Sequence, residues 1–368
     1  MKMEGAILMI KFYEWKYSLP YFNIQPKGPI PTVSDEDGIY PYESFCETAA
    51  RPVLKKFKMV TMENEYISVT VCPDLGGRVE SIVDKKTCRE VLYKSDGVRP
   101  VRILPRMAFI SGGIEVSFPI SHTPSQIEKV HYEVKKIDDR VYIWCGEKEI
   151  RCGMQWTLEF SLGEEDKFLT ERSCFYNPTS KTHEWMSWSN AAVAAMEDTE
   201  LNFPAGTVLS HGDKLESIQW EKDKQYRISD FHRMEGFFWT TADKNAFGAF
   251  NPSLGTGLYH IADSKDTCGI KLWLYGKSTQ EAWAHQTALS NESYVEVQAG
   301  PIREQADKAE LNPGEMHCHK EFWIPTTEAL SIYDIQLPKP ELINVDEIPL
   351  YDFVEREKTN PWLELMGL

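Results

Sequence analysis

Two short segments of this chain carry side chains that could perform acid–base chemistry. In Tyr294–Gly300 (YVEVQAG), alternate residues of a predicted strand share one face, so Tyr294, Glu296 and Gln298 point one way and the two valines point the other. A carboxylate held between polar neighbours can act as a general base. The same spacing also fits a half-buried strand with a polar, solvent-facing side.

The second segment, Ser111–His122 (SGGIEVSFPISH), alternates in the same way and places Glu115 on its polar face. Its two glycines permit close approach of a backbone or a ligand, Pro119 ends the strand, and His122 follows. Together the two segments supply two carboxylates, an imidazole and an amide. We therefore expect Glu296, Glu115 and His122 to be the catalytic groups.

The composition describes a folded protein without the charge pattern of a nucleic-acid binder. Of the 368 residues, 42% are hydrophobic, which is enough for a substantial core. The 11 Trp, 16 Tyr and 17 Phe favour strands and suit stacking on sugar rings. The net charge is −16 and the basic residues form no block longer than a pair, so we expect neither nucleic acid nor a membrane as a partner.

The eight cysteines are scattered and include no Cys-x-x-Cys pair. This pattern predicts reduced thiols rather than a zinc ribbon or a dithiol redox motif. The apolar run Gly5–Ile10 is too short for a signal-peptide core or a membrane span. We expect a cytoplasmic protein, and association into a homo-oligomer stays open.

Three regions follow one another along the chain: an extended N-terminal strap over residues 1–57, a β domain over residues 58–330 and an acidic C-terminal tail over residues 331–368. The strap is rich in proline and aromatic residues, and the tail keeps apolar residues that should dock on the protein. Between them, short strand-like runs recur and no long helical period occurs. The sequence thus predicts an all-β fold, a large antiparallel sandwich with few short helices.

Five motifs occur in a fixed order along the chain: Glu65–Arg78, Ile110–Pro119, Trp188–Val193, Lys271–Gly276 and Tyr294–Gly300. Taken together, over roughly Glu63–Pro325, they resemble the galactose mutarotase-like superfamily, and in particular a group within it known as a domain of unknown function. The resemblance implies an antiparallel β-supersandwich whose concave face binds carbohydrate. It also implies that Glu296 is the general base, followed by Gln298, and that His122 is one of two groove histidines. Where mutarotases carry the other histidine, Asn190 is the nearest polar residue.

Further side chains are predicted to contact a substrate through charge, hydrogen bonds or aromatic stacking. They are Arg78, Asn190, His211, His260, Lys271, Trp273, Trp283, Tyr294 and Gln298. His317 and His319 have a spacing that can chelate a metal, but no clustered third ligand accompanies them, so we expect no metal. No phosphate-binding glycine pattern is present, and we expect no cofactor.

These observations favour an acid–base enzyme of the aldose 1-epimerase type that acts on a sugar or an oligosaccharide. Glu296 would remove a proton, and His122 or Glu115 would supply one. Two alternatives remain at this point. The same carboxylates could serve a glycoside hydrolase or lyase, or the chain could be a non-catalytic carbohydrate-binding protein that keeps the groove and lacks an acid.

Overall fold

A computed structural model describes residues 9–26, 42, 45–102, 108–211, 215–274, 289, 293–304 and 306–352. Two antiparallel sheets, of 12 and 9 strands, make up most of it. Within these ranges, the helices are three single turns of 3-10 helix, at Pro73–Leu75, Ile228–Asp230 and Val345–Glu347. None of the helices in these ranges is long and apolar enough to cross a membrane. The prediction of an all-β antiparallel sandwich with few short helices is confirmed.

The large sheet carries the N-terminal strand at one edge. Numbered along the chain, its strands are β1 (Lys11–Tyr21), β4 (Val53–Glu63), β5 (Ile67–Cys72), β6 (Arg78–Asp84), β7 (Arg89–Glu90), β10 (Ile114–Val116), β16 (Ser189–Ala194), β18 (Gly206–His211), β19 (Leu215–Trp220), β21 (Glu235–Trp239), β24 (Gly269–Leu274) and β25 (Tyr294–Gly300). They lie in the order β1-β4-β5-β6-β10-β16-β25-β24-β21-β18-β19, with β7 beside β6.

The second sheet and three strand pairs complete the architecture. The strands of the second sheet are β11 (His131–Ile137), β12 (Arg140–Lys148), β13 (Gln155–Gly163), β14 (Leu169–Tyr176), β17 (Glu200–Asn202), β20 (Tyr226–Arg227), β22 (Ala246–Asn251), β23 (Thr256–Ile261) and β27 (Met316–Thr326). The pairs are β2 (Ile24–Pro26) with β3 (Phe45–Thr48), β8 (Val101–Arg102) with β9 (Ala108–Phe109), and β15 (His183–Trp185) with β26 (Ala309–Leu311).

The main core lies between the two sheets and is built by alternation. Val69 and Val297 of the large sheet and Ile143 and Phe160 of the second sheet are all fully buried in it. Burying one such side chain contributes roughly 1.5–3 kcal/mol. Because successive residues of a strand point to opposite faces, the other half of each strand of the large sheet faces away from this core. We call that outward surface of the large sheet the site face.

Both terminal regions pack on the sheets. The strand β1 pairs with β4 along its whole length, and the expected division after residue 57 falls inside β4. Residues 331–352 lie on the outer side of the second sheet, where Ile332 and Ile335 belong to one hydrophobic cluster with Phe322 and where Ile348 belongs to another with Trp144. Residues 353–368 lie outside the described part of the chain.

One cysteine pair departs from the expectation of reduced thiols. Cys174 on β14 and Cys318 on β27 are directly opposite each other and form a disulfide. The expectation was wrong for this pair because it rested on spacing along the sequence, whereas the two thiols meet across neighbouring strands. The free thiols among the described cysteines are Cys72, Cys88, Cys145, Cys152 and Cys268.

A strip of titratable side chains interrupts the core on β14, β23 and β27. Glu171, Glu321, His260 and His319 are each at most 3% exposed. Glu321 lies between the two imidazoles, 3.3 Å from His260 Nε2 and 3.6 Å from His319 Nε2. Ser189 of the large sheet donates a hydrogen bond of 2.7 Å to Glu171. Burial raises the pKa of both carboxyls to about 8 and lowers the pKa of both imidazoles to about 3.

This strip should make the stability of the protein fall as the pH rises above 6.5. Between the ordinary carboxyl pKa of 4.5 and the folded pKa of about 8, the native state keeps protons that the unfolded chain releases. The histidines act in the opposite sense, but below their ordinary pKa of 6.5. Urea denaturation should therefore show the free energy of unfolding falling from pH 6.5 to pH 8, by up to about 1.4 kcal/mol per pH unit for each carboxyl.

Two variants distinguish the contribution of this strip to the pH dependence from that of an exposed acidic group. Glu321→Gln should make the decline shallower, since it removes one of the two titrating carboxyls. Glu310→Gln, which changes an exposed carboxylate on β26, should leave the decline as it is in the wild type. A wild-type stability that stays level over this pH range would contradict the assignment.

Candidate active site

Four neighbouring strands of the large sheet place a row of polar side chains on the site face. Residues directly opposite each other join into one row: Glu115 on β10, Asn190 on β16, Gln298 on β25 and Lys271 on β24. Their neighbours along each strand, such as Ile114 and Val297, lie in the core. All four polar residues are at most 5% exposed. The alternation that builds the core thus brings residues from distant parts of the sequence side by side.

A second row runs beside the first one. It consists of Ala192 on β16, Glu296 on β25, Trp273 on β24, Gly236 on β21 and His211 on β18. The Trp273 ring lies over Gly236, where an added Cβ would come within 2.6 Å of the indole. The ring centroids of His211 and Trp273 are 6.4 Å apart. Glycine at position 236 therefore leaves room for the indole, which extends from beside Glu296 toward His211.

Glu296 is a buried carboxyl with one hydrogen bond from a neighbour on its own strand. It is 5% exposed, and Gln298 Nε2 donates to its Oε2 at 2.7 Å. Burial raises its pKa, and the nearby charge of Glu115 adds to this, although His122 and Lys271 act against it. A carboxyl whose pKa lies above its usual value is a suitable proton acceptor near neutral pH.

Glu115 is held by four donors and has the opposite character. Its Oε1 accepts from the Thr123 backbone N–H at 3.1 Å and from Gln126 Nε2 at 2.6 Å. Its Oε2 contacts His122 Nδ1 at 2.9 Å and accepts from Asn190 Nδ2 at 3.2 Å. Burial alone would raise its pKa, but His122 and its other neighbours more than offset this, and the pKa lies below its usual value. Glu115 is therefore an ionised, fully bonded group that orients its neighbours.

His122 stands in the loop after β10, with its Nδ1 committed to Glu115. The side chain is 14% exposed, and its ring meets the ring of Phe109 edge-on at 4.9 Å. Gly113 at the start of β10 has a φ of +66°, and a Cβ there would lie 2.2 Å from the Val79 carbonyl oxygen. Glycine at position 113 thus lets β10 approach β6. With Nδ1 bonded, Nε2 is the nitrogen through which His122 can exchange a proton with a ligand.

Lys271 places an ammonium group among aromatic rings beside the two carboxylates. Its Nζ lies 5.1 Å from the centre of the Phe238 ring, 5.6 Å from that of Trp188 and 5.7 Å from that of Trp273. Burial lowers its pKa to about 8, although the charges of Glu296 and Glu115 raise it. The aromatic faces and the carboxylates both stabilise the charged form.

Two further predicted residues line the same face. The Tyr294 ring stacks on that of Tyr93, with 4.6 Å between the centroids. Arg78 is 4% exposed, donates from Nη1 to the Ile110 carbonyl at 3.1 Å and lies 3.7 Å from Glu80. The Arg78 guanidinium thus fixes the segment before β10 and adds to the charges that lower the pKa of Glu115.

Two of the predicted substrate-binding residues do not join this group. The prediction for His260 is wrong: it lies on β23 of the second sheet and faces the inter-sheet core, between Phe247 and Trp323. Its strand alternates correctly, but that alternation cannot tell which sheet the strand joins. Trp283 lies outside the described residues. Within the described ranges, no group of three or more His, Cys, Asp or Glu side chains could hold a metal ion.

Several residues of the site were not predicted from the sequence. Gln126 and Thr123 bond to Glu115 from the loop that follows His122, and Phe238 contacts Lys271 from a strand 33 residues away along the chain. The short distance from His122 in sequence was the one hint for the two loop residues. For Phe238, the contact appears only once β21 is paired with β24.

The solved structures that are similar to this chain share its fold. A TPR-domain containing protein from Parabacteroides distasonis is 46% identical with a TM-score of 0.92, covering 97% of this chain and 62% of that protein. The chain therefore spans about three fifths of the length of that relative. Galactose mutarotase-like proteins from Clostridium acetobutylicum and Lactobacillus casei have TM-scores of 0.55 and 0.52 at 12% and 11% identity. Each alignment covers 73% of this chain, and it covers 95% and 99% of those proteins respectively.

At these low identities, the likeness to the mutarotase-like proteins shows the fold alone, and it confirms the resemblance drawn from the five motifs. The family model of a domain of unknown function, DUF5107, matches residues 34–326, which is most of the chain. The chain therefore belongs to the DUF5107 family, and its fold is that of the galactose mutarotase-like β-sandwich.

Proposed function

We propose that this chain is an enzyme of the aldose 1-epimerase type that performs acid–base chemistry on a sugar. Glu296 is the general base, His122 is the general acid, and Glu115 positions His122. The observation that carries the proposal is the contrast between the two carboxyls of the site face. Burial holds the pKa of Glu296 above its usual value, whereas the bonds and charges around Glu115 hold its pKa below. Carboxyls driven apart in this way mark different roles in one site.

The proposed reaction opens and recloses the sugar ring. Glu296 takes the proton of the anomeric hydroxyl, and His122 gives a proton from Nε2 to the ring oxygen. The bond between the anomeric carbon and the ring oxygen breaks, and the hydroxyl becomes a carbonyl. Rotation about the adjoining carbon–carbon bond exposes the other face of the carbonyl. On ring closure, His122 takes its proton back from the attacking hydroxyl, and Glu296 returns its proton to the carbonyl oxygen, which becomes the anomeric hydroxyl again. This proposal requires no cofactor.

The surroundings of Glu115 favour epimerisation over glycoside cleavage. Cleavage by two carboxyls needs the ionised one as a nucleophile or as the base for a water molecule. An ionised carboxylate has about four lone-pair sites, and four donors already occupy the two oxygens of Glu115. Glu115 therefore has no lone pair to offer to a sugar carbon or to a water molecule.

Lys271 and Trp273 complete the proposed substrate contacts. The ammonium group of Lys271 can donate to a sugar oxygen next to Glu296, and the indole of Trp273 offers an apolar face to a pyranose ring. Gln298, which already bonds to Glu296, keeps that carboxylate oriented.

Glu296→Gln should abolish most of the activity, because the amide keeps the shape of the side chain and cannot take up a proton. We expect the epimerisation rate of anomerically pure aldoses, followed by NMR, to fall by about 10²- to 10⁴-fold. The matched control is Glu235→Gln, the same change on β21 of the large sheet at a half-buried residue that bonds to Ser210. The control should leave the rate unchanged.

Three other results are informative in the same assay. Equal rates for the wild type and Glu296→Gln would show that Glu296 is not the base. Sugar binding without turnover in either protein would point to a non-catalytic carbohydrate-binding protein. New reducing ends or unsaturated products from oligosaccharides would point to a hydrolase or lyase.

Lys271→Met should shift the pH dependence of the reaction. The charge of Lys271 lowers the pKa of Glu296, so its removal raises that pKa further, and the base is then protonated at a higher pH. We expect the acidic limb of the pH profile of kcat/KM to move to higher pH. Methionine keeps the length of the side chain among the three rings.

The control for this change is Lys308→Met, which removes an exposed ammonium group paired with Glu184. Its pH profile should coincide with that of the wild type. An acidic limb that stays in place, or moves to lower pH, in Lys271→Met would refute the coupling between Lys271 and Glu296.

A further inference from the structure

Three aromatic side chains form a stripe along β1, at the edge of the large sheet. Tyr13, Trp15 and Tyr17 alternate along the strand, so they share one face, and they are 43%, 37% and 40% exposed. The indole Nε1 of Trp15 donates to Thr61 Oγ1 at 2.9 Å, and the Trp15 and Tyr17 ring centroids are 5.6 Å apart. The Trp15 ring is thus held in place, and much of the surface of all three residues stays in contact with solvent.

The aromatic stripe lies on the site face. Tyr13 is opposite Thr61 on β4, and Thr61 is opposite Thr70 on β5, where the two hydroxyls hydrogen-bond at 2.9 Å. Val71, the residue after Thr70, points into the core, and so does Ile114, the residue before Glu115 on β10. The alternate positions, Thr70 and Glu115, therefore point away from the core together.

Residues 93 and 94 connect the aromatic stripe to the candidate active site. Lys94 Nζ lies 5.4 Å from the centre of the Tyr17 ring. The preceding residue, Tyr93, stacks on Tyr294, which is two positions from Glu296 on the same face of β25. Six strand spacings separate β1 from β25, which is about 30 Å at about 4.8 Å per spacing. A single sugar ring cannot contact both places.

We propose that the aromatic stripe binds sugar units of an oligosaccharide whose reducing end lies at Glu296. Pyranose rings have apolar C–H faces that stack on aromatic rings, and the Lys94 ammonium supplies N–H donors for hydroxyls beside Tyr17. The substrate of the site is then a chain of several sugar units rather than a free monosaccharide. The reducing-end step rests on the proposed function, whereas binding at the aromatic stripe does not.

The charges around the aromatic stripe favour a sugar over a protein partner. Lys94 lies against the Tyr17 ring, and Lys55, which is opposite Leu19 on the same face, lies over the Tyr21 ring with its Nζ 4.4 Å from the ring centre. The centre of a stable protein interface is depleted in charged residues. A hydroxyl-rich ligand can use both the rings and the charges.

The test measures binding in a Glu296→Gln background, in which turnover is suppressed. Calorimetric titration uses cellohexaose, xylohexaose, maltohexaose, chitohexaose and glucose as probes. Trp15→Ala should weaken the binding of a hexasaccharide by about tenfold, and Tyr17→Ala should also weaken it. Phe12→Ala is the matched control, because Phe12 is 40% exposed on the opposite face of β1. Neither Trp15→Ala nor Phe12→Ala should change the affinity for glucose, and thermal unfolding checks that each variant is folded.

The outcomes separate this proposal from the proposed function. If hexasaccharide binding depends on Trp15 but the wild type turns over no sugar, the result would support sugar binding at the aromatic stripe and refute the epimerase activity. Two results would refute sugar binding at the aromatic stripe and leave the proposed function intact. One is monosaccharide turnover without binding of any hexasaccharide. The other is monosaccharide turnover with equal hexasaccharide affinities in Trp15→Ala and Phe12→Ala. Self-association of the wild type in light scattering that Trp15→Ala abolishes would also overturn it, since a second copy would then cover these rings.

Discussion

The register between β10, β16, β25 and β24 is the constraint on which the rest of the site depends. In each strand, residues such as Ala191, Val297 and Leu272 fill the core and thereby fix which residues lie on the outward face. A slip of one residue in β25 would put Glu296 into the apolar core and a valine into the site. Burying an uncompensated carboxylate costs several kcal/mol, so the apolar packing enforces the polar arrangement.

The charged groups of the site differ in how well their neighbours compensate them, and Glu296 is the one whose pKa is raised as a result. Glu115 and Arg78 are both bonded to neighbouring groups and act as fixed charges. Lys271 is stabilised by three aromatic rings and by the nearby carboxylates. Glu296 has a hydrogen bond from Gln298, but this bond and the charges of His122 and Lys271 do not offset the rise in its pKa that burial causes. A buried carboxyl left in this state is ready to take up a proton, which is the property that a general base needs.

The sequence predicted what depends on local alternation and failed where contacts are long-range. The two-residue period placed Tyr294, Glu296 and Gln298 on one face, because side-chain direction in a strand is a local property. The same period could not assign His260 to a sheet, since strand pairing is set by the whole fold. The disulfide joins residues 144 positions apart, which sequence spacing does not reveal. The donors that saturate Glu115 from its following loop were also unpredictable, because loop conformation has no comparable period.

The strand β16 links the buried strip of the core to the candidate active site. Ser189 donates to Glu171 between the sheets, and the next residue, Asn190, donates to Glu115 on the opposite face. A hydrogen bond to an ionised carboxylate is shorter and stronger than one to a neutral carboxyl. Loss of a proton from Glu171 would therefore strengthen the bond that ties Ser189 to the second sheet, one residue from Asn190. Ser189 and Asn190 thus connect the two clusters through adjacent residues of one strand.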